Sequence, residues 1–394
     1  MKNSKKLVAL LLSLSMVFAL AACGGGSTAS PSPSASQPAP TESAPAETTP
    51  AAADFSVAMI TDYGDITDQS FNQTTYEACK AYCDANGVPF NYYKPAGDST
   101  AERVARVEAA ADEGYNVIVM PGYAFGETIT QVAEEYADVT FIALDVGEGD
   151  LGDYTLPSNV YCAVYQEELC GYMAGYAAVK LGYTHLGFLG GMAVPAVVRY
   201  GYGFVQGADA AAVEAGADVT VEYVYGNQFF GDADITAYMD NWYQTLGVQA
   251  VFACGGGIYA SAAEAAAKVD GAKVIGVDVD QAGIIDGAYG AGMTVTSAMK
   301  GLAPTVQHML GEVAAGNFAN YGGKIETLGL VSGDDPTANY VQIPMETTQW
   351  GDGFTQDDYK TLVKAMFDGT VTVSNDITAM PAVTITVNEY GNIK

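Results

Sequence analysis

The sequence predicts an α/β protein in which helices cover parallel sheets and the folded body is divided into two lobes. From Asp54 onward, short apolar stretches alternate with helical stretches, which is the pattern of βα repetition. The first apolar stretch, FSVAMI at 55–60, is typical of a strand covered on both faces. The body of about 340 residues is also too long for one ordinary hydrophobic core, so two lobes are expected.

The first 23 residues have the composition of a secretory signal peptide. Three lysines precede an apolar run from Leu7 to Ala22, which is shorter than the ~20 residues needed to span a bilayer. The run ends in Leu-Ala-Ala-Cys, which resembles the bacterial lipobox. That resemblance implies cleavage before Cys23 and attachment of diacylglycerol to its thiol. The alternative is an ordinary signal peptide followed by a chance cysteine.

Residues 24–53 predict a disordered tether between the membrane and the folded body. The segment is crowded with Pro, Ser, Ala and Thr and has no apolar periodicity, so it cannot bury enough surface to fold. As a coil it has a root-mean-square reach of roughly 30 Å.

The predicted elements follow one another regularly through most of the body. The strands are Phe55–Ile60, Pro89–Tyr93, Asn116–Met120, Val139–Leu144, Asn159–Val164, His185–Leu189, Val219–Tyr225, Ala250–Cys254, Lys273–Val277 and Met293–Ser297. Helical patterns cover Ala101–Glu113, Glu127–Tyr136, Glu167–Leu181, Ala196–Ala215, Ile235–Leu246 and Ala260–Val269. The tail from Asn320 lacks this rhythm. Its strand-like stretches at 341–344 and 371–373 and its helix at 356–367 are interpreted as a return crossing with extra edge strands.

The lobe boundaries are predicted from breaks in this rhythm. We expect residues 54–158 plus 279–318 to form the N-terminal lobe and residues 159–278 plus 319–394 to form the C-terminal lobe. The crossings are expected near 144–159 and 277–300, because the rhythm breaks at 147–158 and the late strand at 293–297 is interpreted as returning to the first lobe.

Charge and cysteine content exclude several classes of partner. The net charge of −30 argues against binding nucleic acid or docking on anionic lipid through a basic surface. Five cysteines follow Cys23, an odd number that does not form a disulfide framework. Cys79 and Cys83 are interpreted as helix-packing residues, and the alternative is a single disulfide bond between them.

Motifs for catalysis are absent from the sequence. It has only two histidines, His185 and His308, and no G-x-S-x-G, H-E-x-x-H or S-x-x-K motif. The acidic loop that begins at Asp62 lacks the spacing of a calcium loop. Gly255 and Gly256 follow a strand but belong to no nucleotide fingerprint, so they indicate a tight turn beside a small ligand. We therefore expect no enzyme, cofactor or metal.

Polar and aromatic residues follow the predicted strands at the edge where open α/β sheets bind ligands. Asp68 is placed as the N-cap of a helix, with Phe71 and Asn72 in its first turn. Composition alone favours a core role for Phe71 by roughly two to one. The alternative for Asp278 is an N-cap role only, and the alternative for Lys300 is a solvated surface position. Their common position at strand ends favours a ligand site.

The stretch ITDYGDITDQSFNQ at 60–73 resembles the opening motif of the basic membrane lipoprotein family, whose best-understood branch is the purine nucleoside receptors of ABC transporters. The resemblance continues in order through FIALD at 141–145, GFLGG at 187–191, GVD at 276–278 and SAMK at 297–300. It implies a type I periplasmic-binding-protein fold, in which two doubly wound parallel-sheet lobes are joined by three crossings with the ligand cleft between them. Gln69 stands where this family usually carries a basic residue.

The same resemblance implies how a base is held. Asp68 meets the polar edge of a purine, and Phe71, with Asn72 beside it, supplies one stacking face. Phe229 or Phe230 supplies the opposite face. An aromatic sandwich of this kind suits any flat base.

For the sugar, the resemblance implies that Asp278 and Lys300 hold the ribose hydroxyls while the backbone of Gly255 to Gly257 lies against the ring. A carboxylate that accepts two hydroxyl hydrogens suits a vicinal diol. Tyr123 is expected near the cleft.

These observations predict a lipid-anchored receptor on the extracytoplasmic face of the cell membrane. It captures a nucleoside, a purine nucleoside above all, and presents it to the permease and ATPase subunits of an ABC importer. The alternatives are a sugar or other polyol receptor of the same fold and a non-transport lipoprotein module for signalling or adhesion, with an enzyme last.

Overall fold

A computed structural model describes residues 55–394 of the chain. The predicted signal peptide, Cys23 and the tether at 24–53 lie outside the described residues. Within them, no helix is long and apolar enough to cross a membrane.

The strands of the described part are, in chain order, β1 (Val57–Ile60), β2 (Phe90–Tyr93), β3 (Val117–Pro121), β4 (Thr140–Leu144), β5 (Val160–Tyr165), β6 (His185–Gly190), β7 (Thr220–Tyr225), β8 (Ala250–Cys254), β9 (Lys273–Asp278), β10 (Thr294–Lys300), β11 (Lys324–Leu328), β12 (Val341–Gln342) and β13 (Thr386–Asn392). All ten strands predicted before the tail are therefore confirmed, with ends that move by no more than a few residues.

The α-helices are α1 (Phe71–Asn86), α2 (Thr100–Asp112), α3 (Phe125–Val132), α4 (Glu148–Leu151), α5 (Glu167–Lys180), α6 (Pro195–Ala215), α7 (Ala233–Asn241), α8 (Tyr259–Ala266), α9 (Ala282–Tyr289), α10 (Leu302–Ala314) and α11 (Gln356–Phe367). Their ends follow local sequence signals. The side chains of Ser99, Asp232 and Thr355 accept from N–H groups of the first turns of α2, α7 and α11. Gly87 and Gly216 end α1 and α6 in the left-handed conformation.

Two sheets form the centres of two lobes, which confirms the predicted fold class. The first has the order β11-β5-β4-β3-β1-β2 and is parallel throughout. The second has the order β12-β10-β9-β8-β6-β7-β13, in which only the pairing of β12 with β10 is antiparallel. The inner strands β1, β3 and β8 are fully buried, as expected where helices cover both faces of a sheet.

The chain crosses between the sheets three times. The crossings follow β5, β10 and β11, and they lie side by side. The Gln166 N–H donates to the Leu328 carbonyl at 3.0 Å, and the Gly301 N–H donates to the Tyr340 carbonyl at 2.7 Å. The Tyr340 N–H in turn donates to the Gly329 carbonyl at 3.0 Å. These hydrogen bonds define a compact hinge.

The predicted lobe boundaries are wrong at three strands. β5 and β11 belong to the first sheet, and β10 belongs to the second, opposite to the expectation for these three strands, whereas β12 and β13 lie in the second sheet as expected. The expected crossing near 144–159 is instead a connection from β4 to β5 within one sheet. Its four-residue helix α4 replaces a full crossover helix, which is why the βα rhythm breaks there.

The predicted strand at 371–373 is also wrong, since these residues form no ladder. The Val371 N–H donates to the carbonyl of Ala365, so the backbone closes the end of α11 instead. The five cysteines of the described part, Cys79 and Cys83 among them, are buried free thiols.

Candidate functional site

A cleft of about 750 Å³ lies between the two lobes at the carboxyl ends of their strands. This volume is within the range of about 300–1,000 Å³ found for small-molecule sites. All ten residues predicted from the sequence for a ligand site line it, namely Asp68, Phe71, Asn72, Tyr123, Phe229, Phe230, Gly255, Gly256, Asp278 and Lys300.

Asp68 organises the loop that leads from β1 into α1. The residue before the helix is Ser70, whose side chain makes no capping hydrogen bond, so the prediction of Asp68 as the N-cap is wrong by two positions. The Asp68 carboxylate still serves the free helix donors, because Oδ1 accepts from the Ser70 and Gln73 N–H groups at 2.9 and 3.0 Å and Oδ2 accepts from the Asn72 N–H at 2.9 Å.

The amide of Asn72 is held by the same carboxylate. Its Nδ2 donates to Asp68 Oδ2 at 3.1 Å, whereas its Oδ1 is buried and has no hydrogen-bond partner among the described residues. Because Asp68 already accepts four N–H groups, which matches the capacity of a carboxylate, Asn72 Oδ1 is an acceptor that remains for a ligand in this part of the cleft.

Lys300, at the end of β10, is the centre of a charged cluster beside Phe71. Its Nζ lies 2.6 Å from Asp145 Oδ2, 3.3 Å from Glu167 Oε1 and 3.8 Å from Asp278 Oδ1. Asp278 is also held by the Ser70 and Tyr200 hydroxyls, at 2.7 and 3.3 Å. Lys300 is therefore a buried cation among three carboxylates.

Burial and ion pairing shift the pKa values of this cluster in opposite directions. Burial lowers the pKa of Lys300, but the carboxylates of Asp145, Glu167 and Asp278 outweigh burial and hold that pKa above its usual value. Burial raises the pKa of the Asp145 carboxyl to about 6, although Lys300 lowers it. The lysine is thus firmly charged, and Asp145 is a carboxylate held in an unfavourable environment.

The backbone at two of these carboxylates is strained. Asp145 and Asp278 have φ angles of 60° and 63°, in the left-handed region that residues with a Cβ rarely adopt. Asp145 directly follows β4 and Asp278 is the last residue of β9, and both side chains reach Lys300.

Glycines in α5 and α6 bring Glu167 close to Arg199. A Cβ added to Gly171 in α5 would lie 2.3 Å from the Tyr200 carbonyl oxygen, and one added to Gly203 in α6 would lie 2.1 Å from the Glu168 carbonyl oxygen. Only glycine allows the two helices to approach so closely. As a result Arg199 Nε donates to the fully buried Glu167 Oε2 at 2.7 Å.

Aromatic side chains reach the cleft from both lobes. Phe71 of the first lobe is half-buried, and Lys300 Nζ lies 4.8 Å from its ring centroid, a cation–π distance. Phe230 of the second lobe is 55% exposed. Phe229 packs on the glycine loop, because a Cβ at Gly255 would meet its ring at 2.9 Å.

Direct contacts join the lobes across the cleft. The Ser70 hydroxyl reaches Asp278, as described above, and Gln281 Nε2 donates to the Gln69 carbonyl at 3.1 Å. At the other side of the cleft, the hydroxyls of Tyr63 and Tyr123 lie 3.7 and 3.9 Å from Met192 Sδ. The lobes are therefore in a closed arrangement.

Comparison with known families places this cleft in context. A family profile described as Bmp, ABC transporter substrate-binding protein PnrA-like, matches residues 55–334. This match covers more than half of the 394-residue chain. The chain belongs to the Bmp family. The resemblance found in the sequence is thereby confirmed, and the protein is a substrate-binding protein of the ABC transporter type.

Curated relatives of this Bmp protein are 25–29% identical to it over the aligned residues. The "ABC transporter nucleoside-binding protein BmpA" of Lactococcus lactis is 25% identical over 298 residues, which cover 71% of this chain and 80% of the relative. The "CD4+ T-cell-stimulating antigen" of Listeria innocua is 29% identical over 335 residues, covering 80% and 86%. An uncharacterised lipoprotein of Pyrococcus horikoshii is 27% identical over 183 residues, covering 45% and 44%.

Solved structures resemble the Bmp protein in fold. A solute-binding protein of an ABC transporter system from Aeropyrum pernix has a TM-score of 0.62 at 21% identity, covering 82% of this chain and 88% of that one. Another from Conexibacter woesei has a TM-score of 0.62 at 23% identity, covering 82% and 99%. At these identities the likeness concerns the two-lobed fold alone.

Three residues of the ion-pair network around Lys300 are not among the predicted site residues, namely Asp145, Glu167 and Arg199. Asp145 carried a usable signal, because it follows an apolar strand directly. Glu167 and Arg199 lie in helices, and the only hint in the sequence is an acidic or basic residue within an apolar, glycine-rich helical stretch.

The cleft has the chemistry of a binding site. Among residues 55–394, no group of three or more His, Cys, Asp or Glu side chains is arranged to hold a metal ion. His185 pairs with Glu222 at 2.9 Å and His308 with the Tyr321 hydroxyl at 3.1 Å, and neither histidine lines the cleft. What the cleft offers is aromatic faces, hydrogen-bonding groups and one buried cation.

Proposed function

We propose that this Bmp protein is a lipid-anchored, non-enzymatic receptor on the extracytoplasmic face of the cell membrane, and that it captures a purine nucleoside for the permease and ATPase subunits of an ABC importer. The observation that carries the proposal is the meeting of two chemically different groups of residues in one interlobe cleft. Aromatic side chains and a free amide oxygen form its aromatic end, and the Asp278–Lys300 cluster forms an adjoining charged end.

The aromatic end suits a flat base. Phe71 comes from the first lobe and Phe229 and Phe230 come from the second, so a planar ligand is enclosed only when the lobes are closed. Base–aromatic stacking is worth about 1–3 kcal/mol per base. The unpartnered Asn72 Oδ1 accepts a hydrogen bond from the base, while Asp68 fixes the orientation of the amide.

The charged end suits a ribose diol. Asp278 accepts hydrogen bonds from two neighbouring hydroxyls and Lys300 donates to their oxygens. Asp145 and Glu167 keep Lys300 charged and in place. The Lactococcus lactis relative, named as nucleoside-binding, supports a nucleoside as the ligand class.

Closure couples binding to transport in this proposal. The cluster contains residues of both lobes, Asp145 from the first and Asp278 from the second, so a ligand held there makes more contacts in the closed state than in the open one. A ligand shifts such an equilibrium only through this difference in affinity.

A ligand panel with an Asp278→Asn variant tests the proposal. We expect purine ribonucleosides to bind the unmodified protein in calorimetry and Asp278→Asn to weaken them about tenfold, since the loss of charge assistance is worth about 1.5 kcal/mol. Asparagine tolerates the left-handed φ of 63°, so the variant is expected to fold. A 2′-deoxynucleoside should lose clearly less, because one of the two hydroxyls is already missing.

Asp280→Asn is the control, since Asp280 binds the Thr347 hydroxyl and does not line the cleft. Equal losses for the ribose and 2′-deoxyribose ligands would contradict the diol assignment. Tight binding of free sugars or polyols with no response to nucleosides would favour a polyol receptor instead.

The lipid anchor is tested at Cys23. We expect Cys23→Ser to move the protein from the membrane fraction to the soluble fraction, because one cysteine accepts the diacylglycerol in the proposed processing. The Leu-Ala-Ala-Cys sequence at 20–23 and the lipoprotein name of the Pyrococcus relative support this expectation. Ser27→Ala in the tether serves as the control, and retention of Cys23→Ser protein in membranes would refute the anchor.

A further inference from the structure

Arg199 presents hydrogen-bond donors that no residue of the described part uses. Its Nε is committed to Glu167 Oε2 at 2.7 Å, but Nη1 and Nη2 make no hydrogen bond to any of the residues 55–394. The side chain lines the cleft and is only 17% exposed. A guanidinium with one edge fixed and the other free is a preorganised donor for a ligand.

Glu167 sets the position of Arg199 relative to the proposed sugar end. The two oxygens of this one carboxylate are divided between two cations, Oε1 toward Lys300 at 3.3 Å and Oε2 toward Arg199 at 2.7 Å. Arg199 and Lys300 therefore bind the two oxygens of the same carboxylate, which places Arg199 near the position proposed for the ribose diol.

Asp150 of the first lobe faces this region and provides an acceptor. It lines the same cleft, and its Oδ2 accepts from the Gly147 N–H at 2.9 Å, while Oδ1 makes no hydrogen bond within the described range. Burial raises the pKa of the Asp150 carboxyl, whereas the Gly147 N–H and the charge of Arg199 lower it.

A donor on one side and an acceptor on the other match a hydroxyl, which accepts and donates at once. A phosphate matches poorly, because it offers no donor to Asp150. The negative charge of the residues that line the cleft also disfavours a phosphate. Of the residues that line the cleft, seven are carboxylates and three are cations, and all three cations already have carboxylate partners.

We propose that Arg199 and Asp150 form a second hydroxyl-binding subsite, which takes the primary 5′-hydroxyl of the nucleoside. This inference rests on the proposed function, in which Asp278 and Lys300 bind the 2′- and 3′-hydroxyls. Once its 2′- and 3′-hydroxyls are bound, a ribonucleoside has only the 5′-hydroxyl left. This hydroxyl lies beside the free Nη donors of Arg199. Since Arg199 and Asp150 belong to different lobes, this hydroxyl is bound only in the closed state.

The test compares matched ligands on one conservative variant. Arg199→Lys keeps a cation beside Glu167 but removes the two terminal nitrogens. We expect calorimetry to show adenosine and inosine bound about tenfold more weakly by Arg199→Lys, and 5′-deoxyadenosine and 5′-deoxyinosine changed less than twofold, since they lack the group that Arg199 contacts. Asp150→Asn should give the same pattern, and adenosine 5′-monophosphate should bind the unmodified protein more weakly than adenosine.

The possible results separate the subsite from the proposed function. Equal weakening of the 5′-hydroxy and 5′-deoxy ligands by Arg199→Lys would show that Arg199 only supports Glu167, and it would overturn the subsite while leaving nucleoside binding intact. Tighter binding of the 5′-monophosphate than of adenosine would also overturn it. If the unmodified protein bound no nucleoside at all, the proposed function would fail and the subsite with it. An unchanged melting temperature of Arg199→Lys would confirm that both affinities are measured on folded protein.

Discussion

Lys300→Met is expected to lower the free energy of unfolding of the ligand-free protein by about 3–5 kcal/mol at pH 8, the range for breaking a buried ion pair by removal of one partner. Lys300 is 6% exposed and faces Asp145, Glu167 and Asp278. Methionine preserves most of the side-chain volume, so the effect comes from three carboxylates that lose their common cation.

The same variant should show a specific pH dependence. Without Lys300, which lowers it, the pKa of the Asp145 carboxyl rises in the folded state beyond the value of about 6 that it already has. A group whose folded-state pKa exceeds its unfolded value favours folding when protonated and loses this contribution as the pH rises. The loss in free energy of unfolding of Lys300→Met relative to the unmodified protein should therefore be larger at pH 8 than at pH 5.

Urea unfolding of both proteins at the two pH values measures this difference. Lys80→Met is the matched control, because Lys80 and its partner Asp84 have side chains that are 48% and 65% exposed. Exposed pairs contribute less than about 1 kcal/mol, so the control should be nearly neutral at either pH. A deficit for Lys300→Met that is the same at pH 5 and pH 8 would argue that the carboxylates do not depend on Lys300.

The sequence predicts where the strands lie better than it predicts which strands pair with one another. β1 to β10 have strand segments that the apolar pattern marks, and all of them were predicted. β11 and β13, with sequences KIETL and TVNEYGN, were missed because they are partly or largely exposed edge strands. An edge strand contacts the core through fewer side chains, so hydrophobic periodicity gives a weak signal for it.

The sheet that a strand joins depends on tertiary contacts. β10 was assigned to the wrong lobe although its boundaries were nearly right, since it pairs with β9, with Ser297 opposite Gly276 and Met299 opposite Asp278. An apolar stretch of sequence does not indicate which strand it pairs with. The three-crossing topology followed from the family resemblance and not from periodicity.

Site prediction succeeded where residues directly follow strands or begin helices. This rule, helped by the resemblance, led to Asp68, Asp278 and Lys300. It fails for Glu167 and Arg199, whose position depends on the close approach of α5 and α6 at Gly171 and Gly203. Pairs that meet through helix packing have no fixed spacing in the sequence, so they become visible only in three dimensions.

Phe71→Ala is expected to weaken nucleoside binding roughly ten- to hundredfold, since base–aromatic stacking contributes about 1–3 kcal/mol. The competing interpretation is that Phe71 is a core residue, because it packs against the large buried cluster as well as lining the cleft. The two roles differ in their ligand dependence. A stacking face serves every nucleoside equally, so ribose, 2′-deoxyribose and 5′-deoxyribose forms should all lose affinity by the same factor, unlike in the Asp278 and Arg199 variants.

Two further substitutions at Phe71 separate stacking from packing. Phe71→Leu restores apolar volume without a planar face, so it should recover the melting temperature but not the affinity. Phe71→Tyr keeps the ring and should recover both. Phe90→Ala is the control for a half-buried ring outside the cleft, since Phe90 packs against Tyr76 at a centroid distance of 5.6 Å. If Phe71→Ala lowered the melting temperature as Phe90→Ala does and left calorimetric affinity unchanged, Phe71 would be a core residue, and the base would need another stacking partner from the first lobe.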